Sequence, residues 1–116
     1  MNDQQAISRL KNGDIGGLEY LVSKYQEKAL RTAYLITHNR QLSEDVVQET
    51  FVRMYQRIRS FDDQRPFEPY LMRSVVNTAI NQAEKNLNFV NLDEQITMID
   101  VGNLLKSSYV HTWLNQ

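Results

Sequence analysis

Apolar and polar positions follow a helical period along most of the chain. Residues 3 to 12 put Ala6, Ile7 and Leu10 on one side, which predicts a short first helix. Gly13-Asp14 closes it and opens the next, since Gly suits the position after a helix end and Asp an N-cap. Gly16 and Gly17, poor helix formers, then fall in the first turn of a second helix. From Leu18 to Ile36 apolar residues recur at Leu18, Leu21, Val22, Tyr25, Ala29, Ala33 and Ile36, a long amphipathic stripe. Tyr20, Tyr25 and Tyr34 read as core and rim aromatics. Thr37-His38-Asn39-Arg40-Gln41 is a polar break, so this helix and the one after it form an antiparallel hairpin.

The run from Ser43 to Ile58 predicts the third helix. Val47, Phe51, Met54, Tyr55 and Ile58 share a face at spacings of three and four. Ser43 is placed to cap it, with Glu44 and Asp45 where the helix dipole favours anions. The opposite face carries Asp45, Gln48, Glu49, Val52 and Gln56, and the first three are close enough to make one acidic-polar patch. A solvated face is the simple reading of such a patch; a contact surface for a basic partner is the other.

Phe61-Asp62-Asp63-Gln64-Arg65-Pro66 is a loop, and a fourth helix follows from Phe67 to about Lys85. Pro69 is tolerated there because first-turn amides have no partner within the helix. Phe67, Tyr70, Leu71, Val75 and Ile80 supply its buried stripe. The Asn-rich stretch from Asn86 to Asn91 reads as linker, and Val101, Leu104, Leu105, Tyr109 and Trp113 suit a final short helix. The expected organisation is a helical domain over residues 1–86 with a tail over 87–116.

Composition removes several function classes. With no cysteine there is neither a disulfide nor a thiolate metal site. His38 and His111 are far apart and lack companions, so neither reads as a catalytic base or metal ligand. Asp62-Asp63 has no third carboxylate beside it, and a solvated loop explains it better than a cation site. Gly13 to Gly17 has no Lys-Ser or Lys-Thr after it and no strand before it, which excludes a phosphate loop. No enzyme activity and no cofactor is expected. The N-terminus is polar and no apolar run approaches a membrane span, so a cytoplasmic protein that does not engage membrane is expected. The net charge is −1; residues up to Ser60 carry nine Lys and Arg against seven Asp and Glu, and residues 61–86 three against four. No one segment is an electrostatic footprint for nucleic acid.

The ordered pattern Asp45-x-x-Gln48-Glu49-x-Phe51, then Phe61, then Phe67-x-x-Tyr70-Leu71-x-Arg73-x-x-x-Asn77 resembles region 2 of bacterial sigma-70 family factors, nearest to the extracytoplasmic-function (ECF) group. The resemblance spans roughly residues 4 to 86 and implies an all-α fold, a small helical bundle built on a long antiparallel hairpin. It implies two partners. One is the RNA polymerase core, whose paired β′ clamp helices would meet Asp45, Gln48 and Glu49, with Phe51, Val52 and Gln56 around them. Charge-assisted hydrogen bonds of this kind contribute about 1.5–3 kcal/mol each.

The other implied partner is the promoter −10 element, unpaired during strand separation. Phe61 and Phe67 would wall a pocket for an extruded base, Tyr70 would wedge or stack, Arg65 and Arg73 would hold phosphates, and Asn77 would pair with a base edge. Without the resemblance, Phe67 and Tyr70 read equally well as core residues and Asn77 as an exposed helix position. Anti-sigma proteins commonly cover both surfaces in the family, so an anti-sigma partner is a further expectation. The chain departs from the group in having Tyr70 where Trp is common and Pro69 in place of a usual Thr. Its fourth helix also ends at Asn81-Gln82-Ala83-Glu84-Lys85 without a basic cluster. Fewer phosphate contacts mean weaker, less salt-sensitive DNA binding. Two rival readings follow: an interaction module of the same fold that binds polymerase or an anti-sigma factor without reading DNA, and a plain helical scaffold. A region 4 helix-turn-helix is not recognisable in the sequence.

Overall fold

Asn2 begins the first helix through a reciprocal cap: its Oδ1 accepts from the Gln5 amide at 2.8 Å, and Gln5 Oε1 accepts from the Asn2 amide at 3.0 Å. The computed structural model describes residues 1–87, which form α1 (Asp3–Lys11), α2 (Gly16–Thr37), α3 (Arg40–Arg57), a 3₁₀ turn (Ile58–Ser60) and α4 (Phe67–Leu87). There is no strand among the described residues. The all-α expectation holds, and α2 is the hub against which α1, α3 and α4 all pack. The later part of the expected linker and the final helix around Leu104 and Trp113 lie outside the described residues.

The predicted stripes make most of the core; on α4, Tyr70 and Ile80 are only partly buried at its edge, and Met72 and Ala79 fill it instead. Ala6, Ile7 and Leu10 of α1 meet Leu21, Tyr25, Ala29, Ala33 and Ile36 of α2. Val46, Val47, Phe51, Met54 and Ile58 from the α3 side, and Phe67, Leu71, Met72, Val75 and Ala79 of α4, close the bundle. Gly13 takes φ +87°, the left-handed position expected after a helix end. Gly17 is needed for a different reason: a Cβ there would come within 2.2 Å of the Ala6 carbonyl oxygen. The absent side chain is what lets α1 lie directly on α2.

Two local expectations are corrected. α3 does not start at Ser43. His38 turns the chain in a left-handed conformation, and Asn39 caps α3 by accepting from the Leu42 amide at 2.9 Å. Arg40 and Gln41 are good helix formers and join the first turn. Ser43 is therefore buried, its hydroxyl bonded to the Asn39 carbonyl at 2.7 Å and to the Thr37 hydroxyl at 2.8 Å. Glu44 and Asp45 move out of the first turn, where no acid remains. Tyr55 is 44% exposed instead of buried. Its place in the core is taken by Val46 and Thr50, which centre the stripe.

A polar cluster fastens α1 and α4 to α2. Asp3 accepts from the Tyr25 hydroxyl and, at 2.9 Å, from Lys24 Nζ. Lys28 pairs with Glu68 across to α4. The Asp3 carboxylate holds the Lys24 ammonium above its ordinary range. Burial, reinforced by the bond to Asp3, pushes the Tyr25 phenol up in the same direction.

Candidate functional site

The outer face of α3 is the first surface. Asp45, Gln48, Val52 and Gln56 are exposed, and Glu49 is half-buried. Phe51 lies beneath at 7% exposure and fixes the helix to the core. Gln48 and Glu49 are neighbours, so they leave the helix about 100° apart. Gln48 leans into a shallow groove between α2 and α3, about 490 Å³, whose apolar walls include Leu18, Val22, Leu30, Val52 and Tyr55. Glu49 leans the other way, towards α4. Its Oε2 accepts from Gln82 Nε2 at 2.7 Å and its Oε1 from Arg53 Nη2 at 2.8 Å. The expected single patch is thus a ridge, with Asp45, Val52 and Gln56 along its crest.

The second surface forms where the loop after the 3₁₀ turn meets the start of α4. Phe61 is 8% exposed, with its ring centroid 4.8 Å from Tyr70 and 5.8 Å from Phe67. Tyr70 is half-buried. Phe61 and Tyr70 line an open hollow of about 590 Å³, together with Pro66, Pro69, Arg57, Arg65 and Arg73. Asp62 is the lone carboxylate on the rim, 4.0 Å from Arg65. Three cations against one anion over an aromatic floor suit a nucleobase with its phosphates.

Phe67 does not wall this hollow. It is 3% exposed and packs between Tyr25 and Phe61, their centroids each 5.8 Å away, so it supports the floor from below. The first turn of α4 points it inward, because three residues on it shares a face with Tyr70 but one further with Leu71 in the core. Asn77 is exposed and lies on the same strip of α4 as Tyr70 and Arg73, at spacings of four and three. It therefore faces the side of the hollow, one turn beyond Arg73.

Arg57 was not predicted at this rim. On the helical pattern it is a solvated residue beside the α3 patch. The 3₁₀ turn Ile58–Ser60 follows directly on α3 and leaves Arg57 and Phe61 lining the same hollow. Nothing in the local pattern signals that turn.

The loop itself is held at both ends of its acidic pair. Asp62 Oδ1 accepts from the Gln64 amide at 3.0 Å, and its carbonyl from the Arg65 amide at 3.0 Å. Lys11, the last residue of α1, donates to the Phe61 carbonyl at 2.6 Å and pairs with the Asp63 carboxylate.

The family profile described as Sigma-70 region 2 matches residues 21–87, which hold both surfaces apart from Leu18 of the groove wall; Lys11, which ties down the loop, also lies outside the match. The chain belongs to the sigma-70 region 2 family. It is 37% identical over 79 residues to the RNA polymerase sigma-H factor of Pseudomonas aeruginosa, covering 68% of this chain and 41% of that one. It is 37% identical over 112 residues to the ECF RNA polymerase sigma-E factor of Haemophilus influenzae, covering 91% and 58%. With the ECF factor SigW of Bacillus subtilis the identity is 31% over 93 residues, covering 80% and 50%. The chain thus spans 41–58% of the length of these curated relatives. Among solved structures it resembles an engineered region 2 of sigmaE, with TM-score 0.73 and 33% identity. That match covers 79% of this chain and 96% of the other, which was solved in complex with GTAAAA.

Proposed function

We propose that this chain is the region 2 part of an ECF-type sigma factor, which joins the RNA polymerase core and captures an unpaired base of the −10 element. The carrying observation is the hollow of Phe61 and Tyr70 ringed by Arg57, Arg65 and Arg73. Its likeness to a sigmaE region 2 solved with GTAAAA supports giving that hollow a single strand. A base leaving the duplex loses stacking and pairing; the aromatic floor replaces the first and Asn77 can replace part of the second. The three guanidiniums bind the phosphates on either side. On α3, Asp45 and Glu49 offer carboxylates and Gln48 an amide to the basic clamp helices, while the apolar groove gives those helices a wall to pack against. The domain works by binding and carries out no bond chemistry itself.

Fluorescence anisotropy with labelled GTAAAA, with and without core polymerase, tests the second surface, the hollow. Retention on immobilised β′ clamp helices tests the first, the α3 ridge. A saturable strand signal that Asn77→Ala and Tyr70→Ala weaken is expected.

The second reading is an interaction module that has lost DNA reading, and the charge of residues 61–86 favours it: three basic against four acidic. No strand binding in either condition, with clamp retention intact, would establish it.

A further inference from the structure

We propose that Lys11 is a positioning residue for the strand-binding hollow: it stands outside the hollow and sets the shape of the loop that forms its floor. The inference rests on the single-strand reading above.

The loop 61–66 is anchored at its start by the Phe61 ring, packed on Phe67 and Tyr70, and by the Phe61 amide on the Ile58 carbonyl; beyond Phe61 it has little of its own to hold it. Its internal bonds all come from Asp62, and Arg65 is exposed. Its attachment to the bundle on the α1 side is the Lys11 ammonium. That group reaches across 50 positions in sequence to the Phe61 carbonyl at 2.6 Å and at the same time neutralises Asp63. Oδ1 of Asp63 is closed off from water, and Lys11 is its ion-pair partner. Lys11 itself is only 25% exposed in its side chain. The Asp63 side chain is 35% exposed overall, but water does not reach the Oδ1 that faces Lys11 to replace the ammonium, so that oxygen keeps its place only while a cation faces it. Removing Lys11 therefore strands a charge and frees a carbonyl at the residue that lays the Phe61 ring against Tyr70. The loop then relaxes outward to hydrate Asp63, and the ring that floors the hollow goes with it.

This tether has a sign that simple electrostatics does not share. Asp63 is negative, so deleting it makes the neighbourhood of the hollow more attractive to a phosphate chain. If Asp63 only contributes charge, Asp63→Ala tightens strand binding. If it anchors the loop through Lys11, the same substitution weakens binding.

The full chain is titrated by anisotropy against labelled GTAAAA as wild type, Lys11→Met, Asp63→Ala and the double variant, with circular dichroism to establish folding and clamp-helix retention as a second readout. Weakening of about tenfold is expected for each single variant, equivalent to one charge-assisted hydrogen bond. The double variant should be no weaker than the worse single, because both remove one tether. Clamp retention should be unchanged, and Lys11→Arg should recover most of the strand affinity. Unchanged strand binding in Lys11→Met, or tighter binding in Asp63→Ala, overturns the proposal. Amide exchange separates this outcome from failure of the single-strand reading itself. Should wild type not bind the strand, faster exchange at Gln64 and Arg65 in Lys11→Met, with α3 unaffected, still supports the tether, and unaltered exchange rejects it.

Discussion

The side-chain amide of Gln82 on α4 donates to Oε2 of Glu49 on α3 at 2.7 Å, while Arg53 holds the other oxygen at 2.8 Å. Both oxygens of the central acid on the α3 ridge are thus engaged within the bundle. A clamp arginine must share or displace these donors, whereas Asp45 stands exposed on the crest. Glu49→Lys and Asp45→Lys should each abolish retention on the clamp helices by setting like charges against each other. Gln82→Ala should leave retention equal or improve it a few-fold, since it releases one Glu49 oxygen. Loss of retention in Gln82→Ala would mean that the bond pre-orients Glu49 instead of competing for it.

Arg57 is the member of the cationic rim that comes from α3. Arg57→Ala and Arg73→Ala should each weaken capture of GTAAAA by roughly three- to tenfold, the worth of one phosphate contact. Each should also lower the slope of log affinity against log salt by about 0.7, the single-strand value per neutralised phosphate. A salt titration of both variants checks this; an unchanged slope in Arg57→Ala would remove it from the interface. Arg31→Ala, on the exposed side of α2 and absent from the hollow, is the control.

Gly17→Ala should destabilise the domain by about 1–3 kcal/mol, because the added methyl would meet the rigid Ala6 carbonyl oxygen at 2.2 Å as well as the Leu10 side chain at 3.1 Å. Gly16→Ala should cost little, since its methyl meets only the end of the Asp14 side chain at 3.1 Å. Urea midpoints of the two variants make the comparison, and equal midpoints would contradict the close approach of α1 to α2.

Alkaline pH should unfold the domain through the Asp3 cluster. Tyr25 and Lys24 both titrate above their ordinary values of 10.0 and 10.5. As pH rises past 10.0 the unfolded chain gives up protons that the folded chain still holds, so stability falls. Below that range these two groups contribute no pH dependence. Tyr25 carries most of the effect, since the Lys24 side chain is 46% exposed and solvent screens its pair. Tyr25→Phe should be less stable at neutral pH yet lose less between about pH 9 and 11, as read by urea midpoints across the range. A parallel decline in both proteins would show that the alkaline loss comes from elsewhere.

The periodic part of this protein was legible in the chain itself. Stripes such as Leu21-Tyr25-Ala29-Ala33 or Phe67-Leu71-Val75 are local consequences of 3.6 residues per turn, and burial simply follows them. Helix ends were less legible, because Ser43 and Asn39 have equal capping chemistry and the left-handed turn at His38 chose between them. Tertiary packing alone decided the rest. It put Phe67 under the hollow instead of around it, drew Arg57 to Arg65 and Arg73 across the 3₁₀ turn, and set Lys11 against Asp63. Charge summed along segments conceals such groupings, since Coulomb attraction depends on distance through space and a fold brings together residues that sequence keeps far apart.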